Sequence, residues 1–361
     1  MKNIALFKAF RAQKSFGNEL KSPIRSEAQA RRNINAKFDA AQNNPDNAEH
    51  WRLTDGLDAA SANSLAVRKV IRERARYEKE NNGYLGGAVN SMARDVIGRG
   101  PRVLFEGGIF DKKAPYTDGK TFGEIVEAEW ENWSAEVLLS ETLFTAVTAW
   151  ITDGECFAKP YSRKKFKGRV SLNIRLYEGD QVSTPWGQKL EVDGVVIDET
   201  TGEVDGYWLL NTHPGNESEG FFNKVSNFIG KNTGNKYSTD ELWHLFTPTR
   251  PGQLRGVSEI HSALALGPFQ RRYQLATVAA AETAANISGI LETDTPDEGA
   301  AEIPLMVEMQ VKRNTMISAP DGWKAKQLKP EQPTSTFVEF NRELVQGMTR
   351  SIDVPLSVAL G

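Results

Sequence analysis

The chain has 361 residues, enough for two or three domains with a sizeable core. Apolar residues make up 39% and charged residues 25%, with a net charge of −3; this excludes a disordered chain and a globally basic nucleic-acid binder, so any contact with DNA is local and weak. The one cysteine, Cys156, excludes an internal disulfide and a cysteine-based zinc site, and no run of 18 apolar residues offers a membrane span.

Residues 1–60 are polar, carry Arg31–Arg32 and break at Asn43–Asn44–Pro45, the composition of a partly disordered peripheral arm. Its first ten residues place Ile4, Leu6, Phe7 and Phe10 on one side, too short an apolar core for a secretory signal and suited to docking on a surface. Ser61–Glu80 is predicted helical, with Leu65, Val70 and Ile71 as its apolar positions and Arg68, Lys69, Arg72, Arg74 and Arg76 making it basic. Arg72, Arg74 and Arg76 alternate with Glu73, Glu78 and Glu80, which predicts mutual ion pairing along the helix. Asn81–Asn82–Gly83 ends it, and a second helix follows over Tyr84–Ile97 with Leu85, Val89, Met92 and Val96 on one face. VLFEGGIF reads as a strand and turn, Phe122–Trp133 and Ser140–Asp153 as helices.

From Glu155 to Leu245 the pattern changes to short strands: CFAKPYS, VSLNIRLY, KLEVDGVVIDE, EVDGYWLLN and LWHLFTP, with hairpin signals at Asp193–Gly194 and Thr201–Gly202. His213–Tyr237 reads as a long loop around a short Phe221–Ile229 helix. At Thr249–Leu291, Ser258 stands as a helix N-cap before a short apolar helix, Gly267–Pro268 breaks it, and Pro268 opens a long helix reaching about Ser288. Ala276, Ala279, Ala280, Ala281, Ala284 and Ala285 give that helix a stripe of small side chains that lets a neighbouring helix approach closely. An acidic segment, strands near Thr315–Ala319 and Trp323–Gln327, a Pro330–Pro333 linker and a helix over Thr334–Ile352 complete the chain. The fold class is therefore mixed α+β.

Catalytic constellations are sparse. The histidines His50, His213, His244 and His261 lie far apart in sequence, and His261 reads as a satisfied core histidine. Gly230–Lys231 lacks the first glycine of a phosphate-binding loop, since Val225 stands there, and Asn232 replaces its Ser/Thr. Asp153–Gly154–Glu155–Cys156 sets two acids beside a thiol, read as a strand entry with a buried cysteine. Asp193, Asp198, Glu199, Glu203 and Asp205 read as solvated charge at hairpin tips. No cofactor and no metal are implied.

RPGQLRGVSEIHSAL, the long alanine-rich helix and SGIL together resemble the portal proteins of tailed phages, lambda family. RERARYEKENNGYLGGAVNSMARDVIGRG, DGECF, RLYEGDQVSTP, DGVVIDETTGEVDGYWLLNTHPG and FVEFNRELVQGMTRSIDVPLSVALG agree with that family in type and order, over roughly Ser61–Gly361. The resemblance implies an N-terminal arm over 1–60, an α+β wing over 61–257, a first stem helix over 258–290, a small α/β clip over 291–332, and a second stem helix with the start of a tunnel loop over 333–361. The family continues beyond the Val-Pro turn into a wing helix and crown, which appear here to be missing. It further implies a ring of twelve subunits at one capsid vertex, conducting double-stranded DNA with weak, sequence-independent contacts. Its partners would be terminase, major capsid and scaffold proteins and head-tail connector proteins, with no membrane. The N-terminal helix pair would contact a neighbouring subunit rather than DNA. Ala276, Ala280 and Ala284 are then candidates for the subunit seam. Arg271, Arg272, Arg342 and Arg350 are candidates near the channel, and Lys312, Arg313, Lys324 and Lys326 for partner docking in the clip, where Trp323 would be the apolar anchor. Two other readings compete: an α+β hydrolase using Asp153, Glu155 or Cys156, and a monomeric DNA-binding module using Arg68–Arg76.

Overall fold

The computed structural model describes residues 54–105, 115–117, 120–163, 170–216, 233–286, 290–292, 324–326 and 336–361. Asp58–Gly361 forms one unit, distinct from Met1–Leu57. The N-terminal arm up to 53, the Phe221–Ile229 helix, the strand near Thr315–Ala319, Trp323, Lys312 and Arg313 lie outside the described residues.

Asparagines set the first corners. α1 (Ala59–Ala62) is capped by Asp58, whose side chain accepts from Ser61 N, and it ends at Asn63, so the single predicted helix is split. α2 (Leu65–Asn81) and α3 (Gly83–Ile97) share one joint residue. Asn82 closes α2 through its backbone N–H and caps α3 by accepting from Leu85 N. The two helices cross tightly, because a Cβ on Gly86 would collide with the Lys79 carbonyl. α3 buries Leu85, Ala88, Val89 and Ala93, while Val96 is exposed, contrary to the expected face.

After a short ladder, β1 (Pro115–Thr117) with β2 (Lys120–Thr121), a Thr121/Glu124 capping box starts α4 (Phe122–Glu136). Residues 103–105 of the expected VLFEGGIF strand form no strand. α5 (Leu139–Asp153) ends at Gly154, whose φ of 87° closes the helix in the left-handed region. Side chains are excluded at Gly154, since a Cβ would strike the Val257 backbone.

The strands form two antiparallel three-stranded sheets. One has β3 (Glu155–Ser162) between β4 (Leu172–Glu178) and β8 (Trp243–Phe246); the other has β6 (Val204–Leu210) between β5 (Val195–Ile197) and β7 (Gly234–Ser238). β7 lies where the sequence reads as loop, because its GNKYS segment has little apolar content and is held by pairing with β6. A bridge between Val182 and Leu209 links the sheets. Phe157, Val182, Val195, Tyr207, Leu209 and Leu242 form their common core.

Ser258 does not cap a helix: it is buried with its hydroxyl toward the Ile151 carbonyl, and a 3-10 turn follows over His261–Ala265. His261 is exposed there, with Nδ1 2.8 Å from the Ser258 carbonyl, so it is not a core histidine. α6 (Gly267–Asn286) is the expected long helix, about 30 Å at 1.5 Å per residue. β9 (Ile290–Glu292) pairs with β10 (Lys324–Lys326), with Leu291 opposite Ala325. α7 (Phe337–Thr349), a 3-10 turn and α8 (Leu356–Ala359) complete the structure. α6 lies against α7 through Gln270–Asn341 and through Tyr273, which meets the rings of Phe337 and Phe340. A second core joins α2, α3, α5, α7 and α8 through Ala75, Leu85, Ile151, Ile260, Val345 and Met348. Among the described residues, no helix is long and apolar enough to cross a membrane.

Candidate functional site

The face that α2 buries is charged. Arg68, Arg72, Ala75 and Glu78 point inward, while Leu65, Val67 and Val70 point out; Arg72 is 3% exposed and Val70 is 43%. This inverts the expected amphipathic face. Three arginines four residues apart share that side of the helix, and their partners come from far along the chain.

Glu155, the first residue of β3 and fully buried, is the centre. Its Oε1 accepts from Arg255 Nη2 at 2.6 Å and Arg72 Nη2 at 2.8 Å. Its Oε2 accepts from Arg255 Nε and Gly256 N, both at 2.9 Å, and lies 3.1 Å from His244 Nε2. Burial pushes this carboxyl up, but Arg255, the His244 hydrogen bond and Arg72 outweigh it and hold it well below the usual carboxylate range. Arg255 uses every N–H it has, since the remaining three go to the carbonyls of Val182, Asp193 and Gly179. Gly179 must be glycine here: a Cβ would lie 2.5 Å from Glu155 Oε1 and 2.8 Å from Arg72 Nη2.

Around this pair the α2 arginines fan out. Arg68 Nη2 is 3.2 Å from Asp193 Oδ2; burial, then repulsion from Arg255, lowers its pKa to about 10. Arg72 Nη1 reaches Asp180 at 2.6 Å. Arg76 grips Asp153 with two bonds, at 2.8 and 2.6 Å, and its Nη2 also meets Glu178 and Asp180. The expected ion pairing along α2 is thus corrected: Arg72 and Arg76 pair with acids 77 to 108 residues away. Asp193 is corrected too. It is not solvated charge but accepts from Ser183 Oγ and Thr184 N, both at 2.9 Å, besides pairing with Arg68. Asp198, Glu199, Glu203 and Asp205 are exposed, as expected.

His244 lies flat between Phe157 and Phe246, with ring centroids at 4.1 and 4.2 Å. Burial lowers its pKa, so the ring is neutral and Nε2–H donates to Glu155; Nδ1 is then a bare acceptor with no partner among the described residues. Sequence spacing gave no sign of this His–Glu pair, because the register Phe157↔His244 between β3 and β8 creates it.

Chemistry at this centre would need access and free reactive groups. Glu155, Arg255 and His244 are sealed from solvent, Asp153 is clamped by Arg76, and burial pushes the Cys156 thiol up to about 12, far from a nucleophilic thiolate. Glu178, Asp180 and His213 come close enough together to hold a cation, but the Arg76 guanidinium already bridges the two carboxylates at 2.8 and 2.9 Å. The network therefore works as a clamp that fixes α2 to both sheets and to the 251–257 turn.

The other candidates lie on α6 and α7. Arg271 turns toward α2, pairing with Glu78 at 2.7 Å and lying 5.1 Å from the Tyr77 ring. Arg272 and Arg342 are exposed, and Arg350 pairs with Asp353 at the surface. Ala276 is exposed, with Phe269 exposed beside it; Ala280 is half-buried and lies seven residues on from Tyr273, on the side of α6 that meets α7. Leu275, 69% exposed, and Val278 are uncovered as well. The side chains of Ala284 and Lys326 lie outside the described residues, and Lys324 is exposed on β10.

Residues 45–361 match the family described as "Phage portal protein, lambda family". A probable portal protein of Halomonas phage phiHAP-1 is 24% identical over 303 residues, covering 77% of this chain and 55% of that protein. Two solved structures are similar at 13% identity: the neck of a native gene transfer agent particle computed with C12 symmetry (TM-score 0.38) and the virion of a native gene transfer agent particle (TM-score 0.39). Each similarity covers 61% of this chain and 56% of the other. The chain thus spans about half the length of the relatives it matches. With the family's pattern running through nearly all of the described fold, the chain belongs to the lambda family of phage portal proteins.

Proposed function

We propose that this chain is a structural, non-catalytic subunit of a portal ring at one capsid vertex of the virion. DNA would pass through that ring during packaging and ejection, and the ring would dock terminase and head-tail connector proteins. Family membership supports this reading, and one structural observation carries it to particular residues: among the described residues, α6 leaves Phe269, Leu275, Ala276, Val278 and Ala279 exposed. On this reading 61–257 is the wing, 258–290 and 333–361 the stem helices, and 291–332 the clip. Ala276, Ala280 and Ala284 line the seam between neighbouring stems, twelve to the ring. Arg272, Arg342 and Arg350 supply dispersed positive charge near the channel, where weak contacts let duplex DNA slide. Lys324 and Lys326 present charge to docking partners.

Light scattering tests the reading. The parent chain is expected at a mass many times 40.1 kDa. Ala276→Leu/Ala280→Leu places bulk on one helix face at i, i+4 with nearly unchanged helix propensity. Overpacking costs about 1–3 kcal/mol per site and recurs at every interface of a closed ring. The double variant is expected to remain helical by circular dichroism and to run as a monomer. Equal assembly of parent and variant would remove the alanines from the seam. A parent that is monomeric at high concentration would remove the ring reading.

A further inference from the structure

Trp186 stands at the tip of a tight turn and is 77% exposed, the most exposed large apolar side chain among the described residues. The turn is built to hold it there. Gln188 N donates to the Pro185 carbonyl at 3.2 Å and Gly187 has φ of 86°, the pattern of a turn that requires glycine at its third position. Pro185 beneath it is buried. Ser183 Oγ and Thr184 N donate to Asp193 Oδ1, Gly194 N donates to Thr184 Oγ1, and Asp193 is tied to Arg68. The indole therefore sits on a pedestal fixed to the buried arginine network. A rigidly presented tryptophan binds with little entropy left to lose, and tryptophan is the residue most enriched at interface hot spots.

Elsewhere on the chain, a surface groove of about 450 Å³ runs between α2 and the start of α6. Tyr77, Leu264 and Pro268 supply apolar walls, Arg74 and Arg271 cationic edges, and Glu73 a carboxylate. An indole needs apolar and cationic contacts on its faces and one acceptor for its N–H, and this lining offers both. Charge agrees at the rim. Between 183 and 190 the only ionised side chain is Lys189, while the Glu73 side chain is 62% exposed and its pair with Lys69 is long, at 4.0 Å. We infer that Trp186 of one subunit docks in the α2/α6 groove of the next, with Lys189 beside Glu73. Repeated from each subunit to the next, this contact is head-to-tail and propagates around a ring. This contact rests on the ring reading and adds to it a second point of adhesion besides the alanine seam.

Cysteine cross-linking tests it, because the native Cys156 is buried and silent. Trp186→Cys/Glu73→Cys in the full chain, treated with a short bismaleimide, is expected to give a covalent ladder extending past the dimer, while neither single variant cross-links. Trp186→Ala is expected to raise the concentration for half-assembly by at least about tenfold. An assembled parent whose double-cysteine variant gives no ladder overturns the contact and leaves the ring standing. Dimers from Trp186→Cys alone overturn it in favour of a two-fold contact. A parent that is monomeric under all conditions overturns the ring reading and this contact together.

Discussion

Replacing Arg255 by methionine tests whether the buried network holds the fold. Methionine keeps much of the stem and removes the fork. Five hydrogen bonds go: two to Glu155, and one each to the carbonyls of Val182, Asp193 and Gly179. Glu155 retains Arg72, His244 and Gly256 N but stays fully buried with its strongest counter-charge gone. Removing one partner of a buried pair costs about 3–5 kcal/mol, and three carbonyls lose a donor as well, each a further cost of about 1 kcal/mol or more where water does not replace it. A loss of at least about 4 kcal/mol is expected, a quarter or more of the margin of a domain stable by about 5–15 kcal/mol. Arg350→Met is the control, because Arg350 pairs with Asp353 where the two side chains are 81% and 82% exposed, and screening leaves an expected cost within about 1 kcal/mol. Urea unfolding followed by far-ultraviolet circular dichroism, at a protein concentration where all variants share one oligomeric state, gives both numbers. If Arg255→Met lies within about 1 kcal/mol of the parent at an unchanged m value, the network is ornamental to stability and the reasoning fails.

Other outcomes follow from the same geometry. Gly179→Ala forces a methyl against Glu155 and Arg72, both locked by other partners, and is expected to cost about 1–3 kcal/mol in the same urea assay. The His244 pKa is depressed in the folded chain by burial, so the unfolded chain binds the proton first. Stability is therefore complete above the ordinary histidine pKa of about 6.5 and falls as pH drops below it; His244→Gln is expected to flatten that slope between pH 7 and 5. The Cys156 thiol, buried and raised to about 12, is expected to ignore a thiol reagent at pH 8 in the native chain and to react once in urea.

Helix positions were legible in the sequence because caps and breakers act locally. Asn82, Gly154 and Pro268 mark ends that the structure keeps. The orientation of α2 was not legible, and the reason is physical. Patterning assigns Leu65 and Val70 inward because it prices an arginine as solvated. An arginine that meets buried carboxylates is weighed differently, and those carboxylates lie on Asp153, Glu155, Asp180 and Asp193, brought together only by the β3–β4 register and the turns beyond it. One local signal was available. Arg68, Arg72 and Arg76 repeat at i, i+4, a like-charge spacing that destabilises an isolated helix unless acids outside the helix answer it. The glycines beside those acids, Gly154 and Gly179, are the complementary signal, since each is placed where a side chain would displace the network or its support.

The same argument bears on Leu65, Val67 and Val70. Once the arginines take the inner face, these apolar side chains are left on the outside of α2, as Phe269, Leu275 and Val278 are left on α6. Isolated exposed apolar residues are ordinary, but two helices each turn a row of them outward, and on the proposed ring reading a neighbouring subunit would cover those rows. The buried charge and the exposed apolar surface are thus two consequences of one choice of face. A clamp of arginines and carboxylates specifies the position of α2 within the chain, and the side chains it displaces become available for assembly.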